Sequence, residues 1–260
     1  RDLGGPTFGL KRAIDEGIVV GPRIYPCGAV ITITSGHGDF RQLYELPRKS
    51  GDPRSRIVQI GASMIADSPD EVRLRVREQL MRGASQIKLT AGGGVASPHS
   101  PLDVTTFTEP ELRAAVEAAE NWGTYVTVHA YTPASPGSEE RAKFEQVFAG
   151  TELVFGLARK YKIKTAFGTD ILFSPALAQR QGELLTKVAQ WYSPAQTLIM
   201  ATSGNAELLA LSGKRNPYPG KLGVVEVGAL ADLLLVDGDP IADISLIADP
   251  AKNFVVIMKD

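Results

Sequence analysis

One pattern recurs along the chain: apolar residues at helical spacing, a glycine, then a short run that alternates like a strand. Val72, Val76 and Leu80 fall every fourth residue, which places them on one face of a helix. Ser68-Pro69-Asp70-Glu71 in front of them has the form of a capping box, with proline at the first helical position, and Gly83 ends the helix. A strand over Ser85–Thr90 follows. Thr108-Glu109-Pro110-Glu111 is a second box, with Leu112, Ala115, Val116 and Ala119 on one face, and Gly123 precedes a strand over Thr124–His129. A third helix over Glu140–Tyr161 leads into an extended stretch at Ile163–Gly168. Helix and strand alternating in this way is the rhythm of a parallel α/β fold.

Past Asp170 the pattern predicts helices over Ala176–Trp191 and, behind Ser193-Pro194-Ala195-Gln196, over Pro194–Leu211. From Gly220 onward glycine-rich turns separate the short apolar runs Val224-Val225, Leu233–Val236 and Phe254–Met258, which predicts a small β appendage. Arg215-Asn216-Pro217-Tyr218-Pro219-Gly220 reads as the linker. The expected division is an α/β body over residues 1–214 and an appendage over 215–260.

Side chains alternate across a strand, so the two parities part company. In the strand ending at Thr90, Ile87 and Leu89 form the apolar parity and Gln86, Lys88 and Thr90 the other. In the next, Val126 and Val128 oppose Thr127 and His129. Near Asp170, Phe167 opposes Ala166, Gly168 and Asp170. A lysine, a histidine and an aspartate thus converge at or near the C-terminal ends of strands, where α/β barrels build their active sites. Taken alone, His129 could be a satisfied structural imidazole and Asp170 the cap of a turn. An inward lysine must be paired, neutralised or chemically modified. One chemistry unites the three. A desolvated lysine can take up carbon dioxide as an anionic carbamate bridging two divalent cations, with His129 and Asp170 as further ligands and Asp170 shuttling a proton.

The 28 Lys and Arg against 29 Asp and Glu leave a formal charge of -1 on 260 residues, without the basic concentration that nucleic acid or an anionic membrane needs. Cys27 is the sole cysteine, so internal disulfides and cysteine metal sites are excluded, and it is expected as a small buried group. No apolar run reaches the roughly 20 residues of a membrane span. The chain opens at Arg1 without an initiator Met, so a native start is expected to lie upstream. A cytoplasmic location is the default expectation.

Arg1-Asp2-Leu3-Gly4-Gly5, Thr34-Ser35-Gly36-His37-Gly38-Asp39, Gln86-Ile87-Lys88-Leu89 with Gly92-Gly93-Gly94, Val128-His129-Ala130-Tyr131, Phe167-Gly168-Thr169-Asp170 and Gly228 to Val236 together carry a family likeness. The sequence resembles the amidohydrolase superfamily, in the group of binuclear metal-dependent Xaa-Pro dipeptidases and imidazolonepropionase-like amidohydrolases. The resemblance implies a (β/α)8 TIM-type barrel with a small β-sandwich made from the two chain ends. It implies two divalent metal ions, zinc first among them, bridged by carboxylated Lys88, with His129 and Asp170 as ligands. Asp170 is then also the proton shuttle, His37 the contact to the scissile carbonyl, and Tyr131 a contact to the substrate's carboxylate end. A homo-oligomer and a small-molecule or dipeptide substrate are implied as well.

The sequence also departs from that pattern. His37, His99 and His129 are its only histidines, so the first-strand His-x-His and the sixth-strand His are missing. An omitted N-terminal segment and an omitted internal segment near Pro133/Ala134 are therefore expected. The leading functional expectation is a metal-dependent hydrolase of dipeptides or N-acyl amino acids, Xaa-Pro type favoured. The alternatives are a hydrolase of cyclic amides or imidazolones, and a metal-free barrel that binds a ligand. Gly92-Gly93-Gly94 matches neither nucleotide-binding fingerprint and is expected as a flexible loop beside the site. His99, between two prolines, is expected in an exposed loop.

Overall fold

The computed structural model describes residues 4–46, 53–130, 140–171 and 174–260. They divide into two compact units, Arg1–Gly150 with Leu211–Tyr218, and Thr151–Ala210 with Pro219–Asp260. No helix among the described residues is long and apolar enough to cross a membrane.

The first unit runs α1 (Thr7–Asp15), β1 (Val30–Thr32), α2 (Arg56–Gln59), β2 (Ser63–Ile65), α3 (Pro69–Met81), β3 (Ile87–Thr90), α4 (Glu109–Asn121) and β4 (Val126–His129), then the start of α5 (Glu140–Lys160). Its four strands are parallel, in the order β2-β1-β3-β4. Parallel strands cannot be joined by a tight turn, so α3 serves as the crossover from β2 to β3, with β1 between them in the sheet, and α4 as the crossover from β3 to its neighbour β4. Both predicted boxes act as starts. Ser68 Oγ accepts the Glu71 N–H at 3.3 Å, while the Glu71 carboxylate accepts from Asp67 N–H at 2.8 Å. At α4 the box is reciprocal and closes through Thr108 and Glu111. The three-residue strands β1 and β2 leave no trace in the periodicity, because three positions are too few to show an alternation.

The core lies between sheet and crossover helices. Ile31, Ile87 and Leu89 meet Val72, Val76 and Leu80 of α3 and Ala115, Ala118 and Ala119 of α4, all buried. Each fully buried Val, Leu or Ile contributes roughly 1.5–3 kcal/mol. Cys27 is buried, as expected. The Leu211–Tyr218 segment is held by Tyr218, whose hydroxyl accepts from Ile24 N–H at 3.0 Å and donates to Asp15 Oδ1 at 2.9 Å.

The second unit contains the end of α5, α6 (Pro175–Ala178), α7 (Gln181–Lys187), α8 (Pro194–Ala201), α9 (Ser203–Ala210), β5 (Leu233–Val236), α10 (Pro250–Asn253) and β6 (Phe254–Met258). The two apolar runs expected as strands are β5 and β6, paired antiparallel with a shift between Leu235 and Val236. Val224-Val225 is not a strand. The helix predicted over Ala176–Trp191 is divided between α6, α7 and a 3-10 turn at Val188–Gln190. The one predicted over Pro194–Leu211 breaks at Thr202, whose ψ of -96° leaves the helical region. Ile163–Gly168 is irregular rather than extended in a sheet. Alternation alone does not make a strand, and among the described residues this stretch has no ladder partner; Phe167 N–H donates instead to Met200 O in α8 at 3.2 Å.

Candidate active site

The sheet register separates two chemistries. Lys88 lies opposite Thr127 and Thr90 opposite His129, while Ile31 lies opposite Leu89 and Ser63 opposite Val30. Residues in register share a face. Thr32, Ser63, Lys88, Thr90, Thr127 and His129 therefore stand on one side, where β1 and β2 add Val30 and Ile65, and Ile31, Met64, Ile87 and Leu89 stand on the side that meets the helices. The parity expected for β3 and β4 holds. Val128, on the helix side of β4, is 48% exposed, because among the described residues β4 is an edge strand. Thr32, Ser63 and Thr90 are buried; Lys88 and His129 are half-buried. The lysine is thus less desolvated than its inward parity implied.

After β1 the chain turns through a loop that carries His37. Ser35 takes a left-handed backbone conformation, φ 63°, uncommon for a residue with a side chain. It is held there on both sides. Its N–H donates to Asp39 Oδ2 at 2.8 Å and its hydroxyl to His99 O at 2.6 Å. Arg41 Nε and Nη2 each reach the Asp39 carboxylate at 2.7 Å in a buried two-pronged pair. Burial disfavours the Asp39 carboxylate, but the bonds from Arg41 and Ser35 outweigh it and hold its pKa below the usual range. The same pairing raises Arg41.

This loop brings His37 onto His129, with ring centroids 4.3 Å apart and planes inclined by 38°. His37 Nδ1 lies 2.9 Å from Ser97 Oγ, and Gly38 N–H donates to the same oxygen at 2.8 Å. His129 Nε2 lies 3.1 Å from Gly93 O. A carbonyl only accepts, so in the neutral ring Nε2 carries the proton and Nδ1 the lone pair. The glycine run is not the loose loop expected: Gly92, Gly93 and Gly94 are all buried. A Cβ at Gly94 would stand 1.8 Å from His37 Nδ1, and one at Gly93 1.7 Å from Pro101 O. These positions lack side chains because an imidazole and a backbone carbonyl occupy the space.

His37, His129 and the Lys88 face thus belong to one unit. Asp170 belongs to the other, exposed and in a left-handed conformation, φ 49°. Tyr131 and the Pro133/Ala134 junction lie outside the described residues. His99 is in an exposed loop, as expected. Among the described residues no group of three His, Cys, Asp or Glu side chains is placed to hold a metal ion. The donors of the first unit nevertheless suit one. His129 offers Nδ1 while a carbonyl holds its other nitrogen, the arrangement in which metal-bound imidazoles are kept. Sequence reasoning missed Ser97, Asp39 and Arg41; the short Asp39-x-Arg41 spacing was the available sign of the last two.

A parallel α/β sheet with polar residues gathered at the C-terminal ends of its strands defines the broad class. The profile described as the amidohydrolase family matches residues 1–153, and the chain belongs to that family. It is similar to ochratoxinase of Aspergillus niger, 38% identical over 135 residues, which are 50% of this chain and 28% of that protein. The chain thus matches just over a quarter of its curated relative's length. Among solved structures it is similar to a prolidase complexed with N-methylphosphonate-L-proline, with a TM-score of 0.84 and 30% identity, covering 100% of this chain and 73% of that one. A Xaa-Pro dipeptidase with methionine bound in its active site gives 0.73 and 25%, covering 99% and 72%.

Proposed function

We propose that the protein hydrolyses the amide bond of dipeptides or N-acyl amino acids, Xaa-Pro dipeptides first among them. The observation that carries this reading is the shared face of β3 and β4, where Lys88 and a His129 with its Nε2 proton tied to Gly93 stand together. Family membership supports it, as does the similarity to a prolidase and to an ochratoxinase. Carboxylated Lys88, His129 and Asp170 would hold two divalent cations, zinc first among them. Such a pair supplies polarisation of the carbonyl and a water of lowered pKa. His37 donates a hydrogen bond to the carbonyl oxygen as negative charge builds on it. Asp170 accepts a proton from the attacking water and passes it to the leaving nitrogen. Tyr131 binds the substrate's carboxylate end. Residues 1–214 belong in this reading to a (β/α)8 barrel and 215–260 to a small β-sandwich. The protein acts as a homo-oligomer.

Lys88→Ala and Asp170→Asn should each reduce turnover of Xaa-Pro dipeptides below detection, and elemental analysis of the native protein should find about two metals per chain. Full turnover in either variant removes that residue from the mechanism. Hydrolysis of lactams but not dipeptides moves the substrate to the cyclic amides, and metal-free protein that binds without turnover makes it a binding protein.

A further inference from the structure

Ser97 is 1% exposed, so it cannot meet a substrate, yet its hydroxyl sits between two groups of the His37 loop. Gly38 N–H can only donate, and it uses one lone pair of Ser97 Oγ at 2.8 Å. The hydroxyl has one hydrogen of its own. Of its two side-chain contacts, the one that can take this hydrogen is His37 Nδ1, at 2.9 Å. Were Nδ1 protonated instead, Ser97 would accept twice and its O–H would be buried without an acceptor, which costs about 1–3 kcal/mol. Gly94 adds a steric restraint. The ring lies where a Cβ at that position would be, 1.8 Å from Nδ1, so the same edge that bonds Ser97 is pressed against backbone.

We infer that Ser97 is a positioning residue that fixes His37 as the Nε2–H tautomer and so aims a hydrogen-bond donor at the substrate's carbonyl oxygen. This rests on the role proposed for His37. The opposite tautomer would present a lone pair at Nε2 to a developing oxyanion and repel it. Ser97 thus decides, from a position closed to substrate, whether His37 helps or hinders.

The test reads tautomer and turnover separately. The whole protein, with 15N-labelled histidine, is examined by two-dimensional NMR above the pH of about 6.5 at which a free imidazole loses its proton. There are three histidines, so His99→Gln and His37→Gln assign the signals by loss. In the wild type and in Ser97→Thr, His37 should be protonated at Nε2 and bare at Nδ1. In Ser97→Ala both tautomers should appear. The kcat for an Xaa-Pro dipeptide should fall in Ser97→Ala by about 10-fold, short of the roughly 100-fold or more for deleting such a donor outright. KM should change less than about 2-fold, because the interaction belongs to the transition state. Ser97→Thr should recover most of the loss. A wild-type His37 protonated at Nδ1 overturns the inference, as does a Ser97→Ala protein whose His37 tautomer is unchanged. If Ser97→Ala does not fold, the wild-type spectrum still decides. A wild type that turns over no dipeptide defeats the proposed function, and the spectra then still decide the tautomer.

Discussion

At Gly94 and Gly93 the spaces that side chains would fill are taken by His37 and by Pro101. Gly94→Ala should therefore displace the His37 ring and, on the proposed function, lower kcat/KM for a dipeptide at least about 10-fold with little change in the urea midpoint. Gly93→Ala meets backbone rather than a side chain and should lower that midpoint. Beside them, Asp39 gives the loop a pH dependence of known sign. Its folded pKa lies below the unfolded value of about 3.9, so its contribution is present above that value and is lost as pH falls through the folded one. Arg41→Met leaves a buried carboxylate uncompensated and should cost about 3–5 kcal/mol at neutral pH. The gap to wild type should narrow steadily in urea melts as pH falls, because burial without Arg41 lets Asp39 of the variant take up its proton before the wild-type carboxyl does. Lys88 and His129 could be read from sequence because each alternates with apolar neighbours along a strand. Ser97 and Gly94 could not, since their meaning comes from a histidine 60 residues from Ser97 in the chain, and no local pattern encodes such an encounter.

Elements whose start signals lie in their own residues were the legible ones. α3 and α4 begin where their boxes place them, and the Thr108–Glu111 box can be tested directly. Thr108→Ala removes the cap and the hydroxyl bond to the buried Glu111 carboxylate, leaving it the bond from the backbone N–H of residue 108, and should cost about 1–2 kcal/mol by denaturant titration. α5 starts at the expected Glu140 and ends one residue before the expected Tyr161. The misread elements depended on partners. Ile163–Gly168 has the apolar content of a strand but spends its Phe167 N–H on a helix carbonyl. The long predicted helix after Ser193 is interrupted where Thr202 turns its hydroxyl back to Leu198 O at 2.7 Å. A hydroxyl bonding one turn back competes with the backbone ladder and is often seen where helices bend.

For the molecule as a whole, nearly balanced charge makes its solution behaviour sensitive to pH. With a formal charge of -1 and a sequence isoelectric point near 6.4, self-repulsion is weakest just below neutrality. Light scattering across a pH series at low salt should show strongest association near that point and less on either side. The parity of the sheet has a larger consequence. Ile31, Ile87 and Leu89 face the helices, whereas Thr32, Lys88, Thr90, Thr127 and His129 face away from them. Adjacent positions along a strand thus meet different surroundings, and a mutant library can address one without the other. Randomising Thr127, which is half-buried where Thr90 is buried, explores chemistry on a scaffold whose apolar side is untouched, which makes this position a natural starting point for altering the polar face.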